Sequence, residues 1–428
     1  MKRFFSIAGL ALLFCALWGA IVFAAVDRGW GHSAIAAPGD DRGFAQAAQQ
    51  IAERDGAGNI SFVLLEAGAQ VEDFHLSNGE PIDAQTVFQV ASLGKWITAW
   101  GVMALVEEGR IDLDAPVSTY LTRWQLPASE FDPSGVTVRR LLSHTAGLTD
   151  GLGYDGFGTA QERQTLEASL TRAMDVSPDK DGKTILGSEP GSGWQYSGGG
   201  YTLLQLVIEE VSGEAFPAFM QRRVLAPLGM KRTTFDHAAA QEMGLAENFR
   251  ADGTNEPFRW YTALAATSLF TTSDDLAKFI AAQAPGRSNP VLADETMALM
   301  GTPHASDMGA DIWGLGAMLY APNNSGGFII GHDGSNEPAI NTAARFDPAT
   351  GDGIVVLSTG NPTLATEVAG QWVFWKTGNV DTLTFVSRLP TALAVFAAGV
   401  LVILIVMVTA VLRRRRSATR AEREYPKQ

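Results

Sequence analysis

Apolar positions follow two regimes along this chain. Each end holds one unbroken apolar run, and the stretch between alternates apolar and polar positions with helix and strand periods. The first run, Phe4 to Ala25, has 22 residues behind Lys2 and Arg3. It fits a signal peptide or a retained N-terminal membrane anchor. It is longer than the ~7–15-residue core of an ordinary signal and nearly long enough to span a bilayer. Small-residue cleavage sites stand at Val22-Phe23-Ala24 and Ala34-Ile35-Ala36. The second run, Thr391 to Leu412, has 22 residues and no charge. At ~1.5 Å per residue it reaches roughly 33 Å, about one hydrocarbon core. A helix buried in a protein core would show a polar face, and this run has none. Arg413, Arg414, Arg415 and Arg416 follow at once, which places the tail in the cytoplasm.

Between the runs, helical spacing predicts a helix over Phe44 to Arg54. Ile60 to Ala69 and Gln70 to Ser77 alternate as two strands of a hairpin. Val87 to Gly109 predicts one long helix stopped by Gly109, and Thr137 to Leu142 begins another. Tyr201 to Ser212 is amphipathic, with Gly213 as its stop. Thr272 to Ala282 follows a Thr/Ser cap region. Gly327 to Gly331, Ala339 to Phe346 and Gly353 to Ser358 predict three late strands. Strands at both ends with helices between imply an α+β domain, one sheet covered by helices. No internal repeat is evident. The expected organisation is a signal or anchor over 1–38, an extracytoplasmic domain over 39–378 and a juxtamembrane linker over 379–390. A transmembrane helix over 391–412 and a basic cytoplasmic tail over 413–428 complete it.

Charge sorts the same way. The net charge is −14, yet the two flanks are basic. Without Lys2, Arg3 and the residues after Leu412, 23 positive residues face 44 negative ones, so the outer part is near −21. So acidic a domain does not suit nucleic acid. Cys15 is the single cysteine and lies in the first apolar run, so a disulfide framework is excluded. Phe14 before it is too bulky for an ordinary lipid-attachment site.

Candidate chemistry begins at Ser92-Leu93-Gly94-Lys95. An S-x-x-K spacing on a helix puts both side chains on one face, about a turn apart. A serine hydroxyl is a poor nucleophile at neutral pH; an amine in a desolvated pocket can accept its proton. The spacing recurs at Ser177-Pro178-Asp179-Lys180, where Pro178 and the following Asp-Gly pair predict a loop instead.

Three longer segments supply context: TVFQVASLGKWITAWGVMALVEEGRIDLDAPVSTYL with RRLLSHTAGL, EPGSGWQYSGGGYTLLQLVIEEVSGEAF, and GHDGSNEPAINTAARFDPATGDGIVVLS. Together they resemble the serine β-lactamase and penicillin-binding-protein superfamily, in its class C β-lactamase-related branch. That branch includes D-Ala-D-Ala carboxypeptidases, esterases and D-amino-acid amidases. The resemblance runs from about residue 45 to 375. It implies a β-lactamase/DD-peptidase-like antiparallel sheet flanked by helices, with a mostly helical subdomain between roughly residues 110 and 270 and the site between the two. It also implies three site elements. Ser92 and Lys95 match the first. Tyr196-Ser197-Gly198 matches the second, Y-x-N, except that glycine replaces asparagine. His332-Asp333-Gly334 matches the third, K-T-G or H-x-G, with His332 as a polar or cationic group and Gly334 as the small residue along which substrate lies. Ser197 falls with these two as a substrate-binding candidate. Lys376-Thr377-Gly378 spells K-T-G but follows the last predicted strand, where the family does not place its third element.

The chemistry implied is acyl transfer. Ser92 attacks a carbonyl after passing its proton towards Tyr196 and Lys95, an acyl-enzyme forms, and water releases it with Tyr196 as base. Backbone N–H groups, that of Ser92 among them, hold the oxyanion. In the family the missing asparagine helps bind the substrate's amide, so a simple ester or an unusual peptide is favoured over efficient β-lactam hydrolysis. The alternative is a catalytically weak penicillin-binding or sensing module. No cofactor is expected: the six histidines lack H-x-H or H-E-x-x-H spacing. No G-x-S-x-G elbow occurs. His144 is expected to be structural, Asp274 and Asp275 to start a helix, and Trp194 and Tyr201 to line the cleft or pack the core. The expected partners are a small-molecule or peptide substrate and the membrane.

Overall fold

The computed structural model describes residues 2–150, 153–336 and 340–424. Its contacts divide the chain into two units, Ala34–Gly378 and the two termini, Met1–Ser33 with Asn379–Gln428. In chain order the principal helices are α1 (Lys2–Asp27), α2 (Asp41–Asp55), α3 (Gly94–Glu107), α4 (Val138–Leu142), α5 (Gly198–Ser212), α6 (Ser273–Ala281), α7 (Leu364–Thr377) and α8 (Thr382–Glu424). The main sheet is built from β1 (Ile60–Glu66), β2 (Ala69–Leu76), β3 (Ala305–Asp307), β4 (Ala310–Trp313), β5 (Met318–Pro322), β6 (Phe328–Asn336), β7 (Ile340–Phe346) and β8 (Gly353–Thr359). Its order is β2-β1-β8-β7-β6-β5-β4-β3, antiparallel throughout.

The central strands β1, β7 and β8 are buried along nearly their whole length, because helices cover both faces of the sheet. Such strands become continuous apolar runs rather than alternating ones. α7 packs on β7 and β8, α6 packs on β1 and β8, and α3 approaches β6. Phe44 of α2 stacks on Trp375 of α7 at 4.8 Å, joining the two ends of this unit. From Arg110 to Thr267 the chain forms short helices, turns and isolated bridges around α5. This is the α+β arrangement expected, with a helical insertion between the hairpin and the late strands.

Two expectations change. The helix expected over Val87 to Gly109 is instead a two-residue strand, Phe88–Gln89, a single 3-10 turn, Ala91–Leu93, and then α3. Ala91 has φ +48°, a left-handed conformation that no continuing helix tolerates. Val90 on its other side is pinned, donating N–H to Leu269 O at 3.0 Å and accepting from Thr342 Oγ1 at 2.9 Å. The late sheet also has three further strands, β3 to β5, and β6 extends five residues past Gly331. Ala339, expected to open β7, lies outside the described residues. Elsewhere the boundaries move little: Thr137 and Thr272, expected as first helical residues, are the N-caps of α4 and α6, and Gly213 ends α5 as expected, at φ +76°.

In the terminal unit α1 and α8 pack against each other. Gly9–Asp27 and Thr382–Arg413 are long and apolar enough to cross a membrane.

Candidate functional site

The left-handed Ala91 turns the chain sharply, so Ser92 stands at the entry to α3 with its side chain half-buried. Lys95 occupies the first turn of α3 and is only 1% exposed. Its Nζ lies 3.0 Å from Ser92 Oγ and 2.5 Å from the carbonyl oxygen of Ala266. Burial drives the Lys95 pKa from 10.5 down to about 7, against a smaller opposing pull from Asp150. An amine with that pKa is about half neutral at pH 7 and can take the Ser92 proton along the same 3.0 Å line.

Tyr196 completes the cluster. Lys95 Nζ lies 5.0 Å from its ring centroid, and its hydroxyl hydrogen-bonds Ser92. Burial raises the phenol well above its ordinary value despite that hydrogen bond. Of the two groups beside Ser92, Lys95 is therefore the one able to stay unprotonated near neutral pH. Tyr196, expected as the base, stands beside Ser92 as a buried neutral hydroxyl. Its ring is held by aromatic neighbours: stacked on His144 at 4.3 Å and edge-on to Trp313 at 5.6 Å, with Trp194 at 6.4 Å.

His332 lies on β6 and is buried. Its Nδ1 is 2.6 Å from the carbonyl oxygen of Asp333, which can only accept, so Nδ1 carries the proton and Nε2 is a bare acceptor. Burial, with Lys95 nearby, lowers the His332 pKa to about 3. A neutral imidazole results, not the cation the sequence also allowed. Strand alternation turns Asp333 to the other face. There it pairs with buried Arg345 and accepts from Tyr320 and from Thr366 of α7, which fixes the register of β6. Gly334 has a reason beyond room for substrate. A Cβ there would collide with the Val90 carbonyl oxygen and Thr342 Oγ1, so only glycine lets β6 lie against the segment that leads into Ser92.

Ser197, expected to touch substrate, is buried and otherwise engaged. Its Oγ accepts from Gly200 N at 2.8 Å as the N-cap of α5 and donates to Asp150. Its backbone N–H donates to His144 Nδ1 at 3.1 Å. That contact leaves the imidazole proton on Nε2, and burial keeps His144 neutral. His144 is thus structural as expected, but at the centre: one face supports Tyr196 and one nitrogen holds the loop after it.

Gly198 is explained by a residue far along the chain. A Cβ at 198 would sit 2.9 Å from Cε2 of Tyr154. The Thr202 hydroxyl donates to Gly198 O at 3.1 Å, so the Tyr154 hydroxyl, 2.9 Å away, donates to Thr202. The ring is thereby locked in the space a side chain at 198 would need. Gly199 is equally constrained: its N–H donates to Asp150 Oδ2 at 2.6 Å, and a Cβ would press on Thr184 and Asp150. Burial raises the Asp150 carboxyl, while Ser197, Gly199 and Lys95 pull it back.

The decoys lie elsewhere. Ser177 and Lys180 form a turn with Asp179 at φ +66°, Ser177 Oγ donates to Asp155, and Lys180 is exposed. Lys376 ends helix α7 and pairs with Asp352 at 2.9 Å. Tyr201 is buried, donating to Leu142 O at 3.3 Å, and belongs to the core. Sequence reasoning missed Asp150, Tyr154 and Trp313. Asp150 follows Leu148-Thr149 in sequence like any loop aspartate, and Trp313 lies on a four-residue strand without a periodic signature.

The fold and this serine–lysine–tyrosine cluster define a serine-hydrolase-type protein. The sequence model of the Beta-lactamase family matches residues 44–373, and the chain belongs to that family. Among curated relatives, Esterase EstB of Burkholderia gladioli is 27% identical over 286 residues, covering 58% of this chain and 71% of that protein. Penicillin-binding protein 4 of Amycolatopsis lactamdurans is 26% identical, covering 67% and 75%. Penicillin-binding protein 4* of Bacillus subtilis is 31% identical over 163 residues, which span only 32% of that protein. The octameric penicillin-binding protein homologue of Pyrococcus abyssi superposes with a TM-score of 0.64 at 24% identity, covering 78% of this chain and 76% of that one. D-amino acid amidase of Ochrobactrum anthropi SV3 gives 0.59 at 22% identity, covering 78% and 97%. These two likenesses show the shared fold.

Proposed function

We propose that the protein is a membrane-tethered serine hydrolase that forms an acyl-enzyme on Ser92 and acts on esters in preference to amides or β-lactams. The observation behind this reading is Lys95 Nζ at 3.0 Å from Ser92 Oγ, in a pocket that lowers its pKa to about 7. Neutral Lys95 takes the Ser92 proton as Oγ attacks the substrate carbonyl. The oxyanion of the tetrahedral intermediate is held by backbone N–H groups, that of Ser92 among them. As the intermediate collapses, the bond to the leaving oxygen breaks. The Tyr196 hydroxyl delivers that oxygen a proton and is reprotonated from Lys95. Water then attacks the acyl-enzyme with Lys95 again as base, returning the proton to Ser92 and releasing the acid.

Three features support an ester. No side chain projects from position 198, the neighbouring space holds the Tyr154 ring, and His332 is neutral. Amide recognition by side-chain hydrogen bonds is correspondingly poor at this wall. The similarity to Esterase EstB points the same way. We place the domain over 39–378 outside the membrane, with the tail after Leu412 in the cytoplasm, because the positive residues flank the two apolar runs.

Labelling with a fluorophosphonate and turnover of short p-nitrophenyl esters and nitrocefin test the reading. Wild type should label and Ser92→Ala should not, and esters should turn over faster than nitrocefin. Faster nitrocefin turnover would refute the ester preference. Absence of labelling by fluorophosphonate and by a tagged penicillin would favour a sensing module.

A further inference from the structure

The first apolar helix has two possible fates, removal as a signal or retention in the membrane, and its packing distinguishes them. The Trp18 indole fills the notch left by the missing side chain of Gly399, where a Cβ would collide with the ring. Its Nε1 donates to Phe396 O at 3.3 Å. Phe396 in turn lies over Gly19, where a Cβ would be 3.2 Å from its ring. Each helix thus offers one glycine and one aromatic, and each aromatic seats on the other helix's glycine. Small residues that let helices approach are the usual device for pairing inside lipid, where burial of apolar surface gives no drive.

The pairing also has register. The less exposed residues of α1 include Cys15, Trp18, Gly19 and Val22, and those of α8 include Phe396, Gly399, Val400 and Ile403. Both sets repeat at helical intervals, and run antiparallel they meet in mirror order. Depth agrees as well. Trp18 stands fourteen residues in from Phe4, and Gly399 thirteen in from Leu412. The contact therefore falls at the same level of both apolar runs, as a hairpin crossing one bilayer twice requires. Beyond the far ends of the runs, Arg388 donates to His32 Nδ1 at 2.6 Å, a polar contact suited to the membrane rim. A signal destined for cleavage needs no complementary surface on a helix more than 350 residues later.

We propose that α1 is retained and pairs with α8 as a two-helix membrane hairpin, with Lys2-Arg3 and Arg413–Arg416 on the same, cytoplasmic face. The native Cys15 tests this in the full chain, in membranes. A protease site is placed in the β3–β4 turn at Met308, which is 94% exposed, so that cut halves stay together under denaturation only if cross-linked. Ile403→Cys or Val400→Cys should form an oxidative cross-link to Cys15. Leu401→Cys, on the exposed side of α8, should not. Intact mass should include residues 2–27. A mature chain that starts after Ala24 or Ala36 overturns the proposal, and so does cross-linking as strong at Leu401 as at the inward positions. Both readouts are independent of hydrolase activity.

Discussion

Lys95 stores a penalty whose size depends on pH, and Lys95→Met releases it. The unfolded chain holds this lysine at its ordinary 10.5, while the folded chain holds it at about 7. Between those values the unfolded state binds more protons, so stability rises with pH across that window and is lowest below it. With 1.36 kcal/mol for each tenfold change, the cost of burying Lys95 is about 5 kcal/mol at pH 6 and about 2 kcal/mol at pH 9. Methionine has no such cost. It does leave the Ala266 carbonyl without its partner and alters packing, but those losses do not change with pH. The advantage of Lys95→Met over wild type should thus shrink by about 3 kcal/mol from pH 6 to pH 9. Burial keeps His144 and His332 neutral in the folded chain, so they titrate only on unfolding, in wild type and variant alike, and their contribution cancels in the difference. Denaturant titrations of the full chain in detergent micelles at several pH values measure the difference, and Lys95→Met should be inactive throughout. A stability difference that does not vary with pH would refute the depressed lysine and with it the base assigned to Ser92. In wild type the same pKa should appear as an acid limb in kcat/KM, activity rising with pH through about 7.

Gly198→Asn should lower Tm and slow ester hydrolysis, because its Cβ meets the Tyr154 ring, and adding Tyr154→Ala should recover much of that Tm; a double variant no better than the single one would deny the coupling. Gly334→Ala must push β6 away from Val90, costing about 1–3 kcal/mol in a thermal melt and more than tenfold in kcat. Tyr196→Phe keeps the stack on His144 but not the hydroxyl, so kcat should fall about 10²–10⁴-fold while Tm stays near wild type. Asp150→Ala strips the acceptor from Ser197 and Gly199 and should cost about 1–3 kcal/mol of stability, read by denaturation.

Much of this was legible in the chain, and the limits have physical causes. The hairpin, the capped helices and the late strands announced themselves through period and punctuation, which are local. The helix after Ser92 does not start where its apolar run starts. That boundary is set by Ala91 at φ +48° and by Val90 held between Leu269 and Thr342, partners over 170 residues away. Ser92, Lys95, Tyr196 and His332 are brought together in space, but their protonation comes from burial, which spacing does not reveal. Ser197 entered as a substrate-binding candidate through its place in the second motif, and the fold shows its hydroxyl engaged at the start of α5. Gly198 appeared as a missing group, and only the fold shows the ring of Tyr154 beside it.

The pairing of β1 with β8 has a consequence for how the protein is made. Ile60 bonds across to Ser358, so the middle of the sheet joins segments nearly three hundred residues apart. At about 5–20 residues per second, a ribosome needs roughly 15–60 s to supply the second strand after the first. Throughout that interval β1 and β2 can form only a two-stranded ribbon, which is marginal in water. Its apolar residues, Phe62 to Leu65, stay uncovered while the chain is still growing. Contacts of such long range also slow the final closure. The nascent ribbon is therefore the stage at which this protein most needs a holdase.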